Sequence, residues 1–217
     1  MPRGPLRPLA GFTDNRGVLK IGHIVSLQVQ RSALKLPSPP GMANGRYYDP
    51  AALVQVARLE LTADGVVGTA ERGDPVVDVH HQHHPTSKNV DGTNGMSVGF
   101  TAHYARMRQR FGPHLVDGIA GENVLVAADD QIDPELLLDG LDLALQDGRQ
   151  VHLERVVVAE PCIEFTRYAL RLDPTQPGGD ACTAALRFLR NGMRGFYVSY
   201  TGEPVVLAVG DVVFAPG

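Results

Sequence analysis

Glycine and proline divide this sequence into short pieces. There are 24 glycines and 16 prolines among 217 residues, about 18% together against an average near 12%. Both residues interrupt helices and end strands, so the pattern favours many short strands joined by turns over a helix bundle. With 43% hydrophobic residues, a chain of this length can build a core without a disulfide or metal staple. Cys162 and Cys182 are too few for a disulfide framework. A formal charge of −4, a pI near 6.0 and the lack of a basic run argue against nucleic-acid binding through phosphate contacts. No stretch reaches the roughly 18–20 apolar residues that cross a bilayer. The first twelve residues carry Arg3 and Arg7 but no apolar segment of a secretory signal. The expectation is a soluble, cytoplasmic, β-rich protein with no membrane partner.

Residues 1–17, rich in Pro, Gly and Arg and without periodicity, read as a loose arm, and 18–217 as one domain. Ile21 to Val29 predicts a strand, and Pro37 to Gly45 a loop. Leu53 to Leu61 alternates as a single strand, turning at Asp64-Gly65 into a return strand from Val66. The polar stretch from Glu71 to Gly95 holds four of the eight histidines and reads as a functional loop. Phe100, Tyr104, Met107 and Phe111 recur at helical spacing, which predicts a helix over 100–111 ended by Gly112-Pro113. Strands follow at 123–126, 141–145 and 151–159, with a short helix after Cys162 and another over 181–190. The end reads as a β-meander of three strands, 195–200, 205–209 and 211–214. Many short strands with a few helices between them favour a mostly-β, barrel-like single domain.

Cys162 is the most informative residue, because it follows the apolar run Val156 to Ala159 and stands directly after Pro161. It reads either as a small buried hydrophobe or as a thiolate that ligates a soft metal or attacks an electrophile. Cys182 lies on an apolar helix face and reads as core. The run His80-His81-Gln82-His83-His84 is either a zinc site or an incidental cluster, since neighbouring loop residues cannot all converge on one ion. Asp78 and Asp91 could orient an imidazole or simply be solvated. Gly121-Glu122-Asn123 places a carboxylate and an amide before a strand, and reads equally as a plain turn. Lys35 and Arg194 could each meet a phosphate group, or water alone. Arg106, Arg108 and Arg110 read as a wet helix face. No Ser-His-Asp order, nucleophile elbow, phosphate-binding Gly-Lys-Ser/Thr loop or Cys-x-x-Cys pair is present.

Taken in order, these pieces resemble the MOSC domain, the C-terminal domain family of molybdenum cofactor sulfurase, and in particular its small stand-alone bacterial members. The resemblance runs through Ile24-Val25-Ser26-Leu27, Lys35-Leu36-Pro37, His80-His81 with Pro85 and Lys88, and His103-Tyr104. It continues through Gly121-Glu122-Asn123, Pro161-Cys162, Arg194-Gly195 and Val209-Gly210-Asp211, covering roughly residues 20 to 215. Each motif is short, and the ordered set carries the specificity.

The resemblance implies a MOSC-like β-barrel with the molybdenum cofactor, molybdopterin, at one mouth. It implies that Cys162 coordinates the metal beside the two dithiolene sulfurs. Lys35 and Arg194 would meet the cofactor's phosphate, and Glu122 and Asn123 the pterin edge or a polar substrate group. His81 and His103 would be proton donors at the open metal position. The implied activity is reduction of small N-hydroxylated compounds, with electrons from an external flavin or iron–sulfur partner. Pyridoxal phosphate binding enters through the same family association. Three other readings remain at the level of sequence. One is a cofactor carrier or sulfur-transfer module in which Cys162 bears a persulfide. The others are a zinc site at His80–His84 and a barrel adapter without chemistry.

Overall fold

Seven strands close into a barrel around a core of alternating apolar side chains. The computed structural model describes residues 18–38, 40, 45–89, 92–173 and 177–216. The expected arm at 1–17, most of the 37–45 loop and Asp91 lie outside the described residues. In chain order the elements are β1 (Leu19–Gln30), β2 (Lys35–Pro37), β3 (Arg46–Tyr48), β4 (Leu53–Gln55), β5 (Arg58–Thr62), β6 (Gly65–Thr69), β7 (Val76–Val77), β8 (Met96–Phe100), α1 (Thr101–Phe111), β9 (Val124–Ala127), β10 (Leu141–Ala144), β11 (Gln150–Val158), α2 (Ile163–Ala169), α3 (Gly179–Leu189), β12 (Phe196–Ser199), β13 (Val205–Ala208) and β14 (Val212–Ala215).

The barrel runs β1-β14-β10-β11-β12-β8-β9 and back to β1. Its neighbours are antiparallel except β8 and β9, which are parallel and joined across α1. That exception has a physical basis, because a parallel pair needs a crossover, here a helix. β1 is long enough to pair with β14 first, β9 next and β4 last, bending at irregularities between Lys20 and Gly22 and between Ile24 and Ser26. Gly22 permits the approach, since a Cβ there would fall 1.7 Å from the carbonyl oxygen of Ala127. Ile24, Leu27, Val98, Phe100, Val126, Leu141, Leu143, Leu153, Phe196 and Val213 fill the interior. A second apolar cluster, built on Tyr104, Met107, Phe165 and Leu189, joins the helices to the β2–β3 hairpin. A side sheet, β13-β5-β6-β7, packs its own apolar face, Leu59, Leu61, Val66, Val205 and Leu207, into the barrel cluster.

The mostly-β, barrel-like fold expected from the sequence is the one observed, a closed barrel with three α-helices among the described residues. Three readings need correction. The alternating run from Leu53 to Leu61 is two strands, broken where the Val56 amide donates to Leu27 and the Ala57 amide to Thr69. β4 then serves β1, while β5 serves the side sheet. Alternation reports a buried face but not a change of partner. For the same reason the C-terminal strands are no meander: β12 sits between β11 and β8, β13 joins β5, and β14 bridges β10 and β1. Phe100, read as the first stripe residue of a helix, is instead the last residue of β8, a wholly buried strand without the alternation that would have marked it.

Candidate functional site

Two clefts meet beside the β2–β3 hairpin. The first, of about 400 Å³, opens between that hairpin, the turn after β7 and the ends of β11 and β12. Lys35, Arg46, Lys88 and Arg194 reach its wall, with Glu160 as the carboxylate among the lining residues. A chain of net charge −4 thus concentrates four cations at one cleft, the arrangement that attracts an anionic ligand. Antiparallel pairing of Lys35 with Tyr48 and of Pro37 with Arg46 brings two of these cations, Lys35 and Arg46, to one rim together with Tyr48. The second cleft, of about 540 Å³, shares Arg46 and Tyr48 and is floored by Glu164, Arg167 and Tyr168 of α2. Arg46 reaches across to Glu164 at 3.0 Å.

Cys162 is in the lining of neither cleft; it packs against the second apolar cluster, two residues after Glu160 of the first cleft and two before Glu164 of the second in the chain. β11 ends at Val158, Pro161 follows in the connection, and Cys162 is the N-cap of α2, its carbonyl accepting from the Thr166 amide at 3.0 Å and hydroxyl at 2.8 Å. Its thiol is half-buried, whereas Cys182 is buried in the core as expected. The Sγ stands 3.6 Å from Nη1 of Arg194. Arg194 is itself held firmly: Nη2 donates to the Ala120 carbonyl at 2.8 Å, and the guanidinium lies 4.2 Å over the Phe165 ring. A fixed guanidinium against the sulfur complements the negative charge that a thiolate would carry. Gly195 next to it has φ +91, and a Cβ there would fall 2.4 Å from the Val98 carbonyl oxygen. This glycine is what lets Arg194 and β12 pass so close to β8.

Glu122 is buried behind this wall, and burial pushes its carboxyl up, opposed by Tyr104 and Arg194. Its Oε2 accepts from the Tyr104 hydroxyl at 2.6 Å, while Oε1 has no partner among the described residues. Asn123 is fully buried and structural. Its Nδ2 donates to Asp78 at 2.8 Å and to the Gln28 carbonyl at 3.2 Å, and its Oδ1 accepts from the Ser97 amide and hydroxyl, both at 2.9 Å. It ties β1, β8 and β9 to the histidine turn, and lines neither cleft.

The histidines separate sharply by position. Asp78 is fully buried and orients an imidazole as expected: its Oδ1 accepts from the His80 amide and meets His80 Nδ1, each at 2.9 Å. Burial alone would raise the Asp78 carboxyl, but the hydrogen bonds from His80 and Gln30 outweigh it and hold it below the usual carboxylate range. His80 reaches the first cleft and packs 5.6 Å from the Tyr197 ring. His81, expected at the metal position, points into the turn instead, where its Nδ1 accepts from the His83 amide. His103 is sealed in the core between Phe100 and Phe196 and accepts from the Ile132 amide at 3.0 Å. His81 and His103, like Cys162, are absent from the lining of both clefts. Among the described residues no three His, Cys, Asp or Glu side chains converge as a metal site, which leaves the zinc reading of His80–His84 without a ligand set.

Burial pushes the His103 pKa from 6.5 down to about 4. Between those values the unfolded chain binds a proton that the folded chain refuses, so stability falls as pH drops through that window. The loss is expected to reach about 3 kcal/mol near pH 4. Urea denaturation across pH 4 to 7 should show it, with a flatter curve for His103→Gln; an unchanged slope would contradict the assignment.

The structure therefore gathers Lys35, Arg194 and Cys162, keeps Glu122 behind them, and sets Asn123, His81 and His103 apart. Arg46, Tyr48 and Tyr197 are the site residues that sequence reasoning did not single out, and His80 was read only as part of the histidine run and the His80-His81 motif. The Asp-x-His spacing at 78–80 carried a usable signal, since an Asp side chain opening a turn accepts from the amide two residues on.

No family model matches the sequence, and no curated protein does either. Solved structures do align with it. The YuaD protein from Bacillus subtilis is 15% identical, with 89% of this chain and 97% of that one covered and a TM-score of 0.48. A hypothetical protein aligns at 12% identity over 91% of this chain and 68% of its own, with a TM-score of 0.51. YiiM from Escherichia coli is 13% identical over 74% and 63%, with a TM-score of 0.45. At 12% identity the likeness to the hypothetical protein is one of fold alone. Among the described residues no helix is long and apolar enough to cross a membrane.

Proposed function

We propose that this chain is a MOSC-domain protein that holds the molybdenum cofactor in the basic cleft, with Cys162 as the metal's protein ligand, and reduces small N-hydroxylated compounds. The observation that carries the reading is the half-buried Cys162 thiol standing 3.6 Å from a guanidinium that also lines a cationic cleft. The donor set suits such a group. A thiolate is the soft ligand that a sulfur-rich metal centre takes. Lys35 and Lys88 line the cleft and form no ion pair within 4.0 Å among the described residues, so each could donate to a phosphate.

Bound in this cleft, the cofactor would supply two-electron chemistry at an open metal position. The protein's part is to hold the thiolate in place through Arg194, to meet the phosphate with Lys35 and Lys88, and to seat the substrate between Tyr48 and Tyr197. Electrons would come from an external flavin or iron–sulfur donor. The test is protein made in a cofactor-competent host, assayed with a reduced viologen dye and an aryl hydroxylamine. Substrate-dependent oxidation of the dye by molybdenum-loaded protein is expected. Bound molybdenum without turnover would identify a passive carrier, and protein without molybdenum or pterin would overturn the reading entirely.

A further inference from the structure

The cleft holds one imidazole built for proton delivery, and it is neither of the two that the sequence motifs suggest. We propose that His80 is the acid that protonates the departing oxygen of the substrate, with Asp78 as its positioning residue. The inference rests on the reductase reading above.

The geometry carries it. Asp78 is fully buried, and its Oδ1 is fastened twice to the same residue, to the His80 amide and to Nδ1 of the ring. The second oxygen is fixed in turn, accepting from the Gln30 amide at 2.7 Å and from Asn123 Nδ2 at 2.8 Å. A carboxylate so immobilised sets both the rotation of the ring and its tautomer, placing a proton on Nδ1. The His80 carbonyl is pinned as well, by Nδ2 of Asn89 at 2.8 Å. Nε2 makes no hydrogen bond among the described residues and is left to serve the cleft that the ring lines.

Burial pushes both Tyr48 and Tyr197 upward, which makes their hydroxyls poorer proton donors. Glu160 sits exposed at the rim.

Cleavage of the N–O bond of R–NH–OH to give R–NH2 and water would consume two electrons, which the bound cofactor would supply, and two protons. His80 gives one proton from Nε2 to the oxygen as that bond breaks. The second proton comes from bulk water, which also reprotonates the ring.

Two measurements on the full chain decide the matter. In cofactor-free protein, long-range 1H–15N spectra of the His80 ring should show the neutral form protonated on Nδ1; a proton on Nε2 instead would overturn the proposal. In loaded enzyme, His80→Gln should lower kcat by about 100-fold or more with KM and molybdenum content close to wild type. A kcat within threefold of wild type would refute the role of His80 while leaving the reductase reading intact. Wild-type protein that turns over no N-hydroxylated compound would remove that reading, and this proposal with it.

Discussion

Replacing Cys162 with Ala is expected to reduce turnover of N-hydroxylated substrates to background while leaving the fold almost untouched. Losing a group that merely supports a metal ligand costs roughly 10- to 100-fold. Loss of the ligand itself should cost more than about 100-fold. The cost in stability should be small, within about 1 kcal/mol, because the thiol is only half-buried and its backbone carbonyl, not its sulfur, caps α2. Steady-state assay with a viologen donor and urea denaturation of the same samples make the comparison. If activity and folding fell together, Cys162 would be a core residue and the chemistry assigned to it would be lost.

Asn123→Ala should behave in the opposite way, costing about 3–4 kcal/mol of stability through two or more buried groups left unpaired. The substitution strips the Ser97 amide of its acceptor and removes one of the two donors that hold Asp78 Oδ2. Asn123→Asp should be worse, because it puts a second buried carboxylate where Nδ2 now donates to Asp78 at 2.8 Å. A urea midpoint for Asn123→Ala close to wild type would show that the polar knot between β1, β8 and β9 does not hold the barrel as described. The contrast with Cys162→Ala matters, since both residues come from short motifs of the same resemblance and the structure gives them unlike tasks.

Much of the fold was legible because alternation and punctuation report local geometry. β1, the β5–β6 hairpin, β9 to β11, α2 and α3 stand where periodicity and Gly or Pro stops put them. Pairing was not legible. The break at Val56-Ala57 and the separate destinations of β12, β13 and β14 depend on which edge each strand meets, and side-chain period carries no such information. The site divides in the same way. Cys162 could be picked out from the strand end and proline before it, and Lys35 and Arg194 from the motif order. Arg46, Tyr48 and Tyr197 reach the cleft by tertiary approach alone. Among the histidines, density drew attention to the whole run from 80 to 84. What distinguishes His80 is the buried carboxylate beneath it, and burial of Asp78 is a property of the folded sheet.

The central claim is that one sulfur atom of this chain binds molybdenum. X-ray absorption at the molybdenum edge, on wild-type and Cys162→Ser protein loaded in the same host, addresses it without any substrate or electron donor. The account predicts that the variant's metal has one sulfur neighbour fewer than the wild type's. An identical sulfur shell in both proteins, or no molybdenum edge in the wild type, would contradict it.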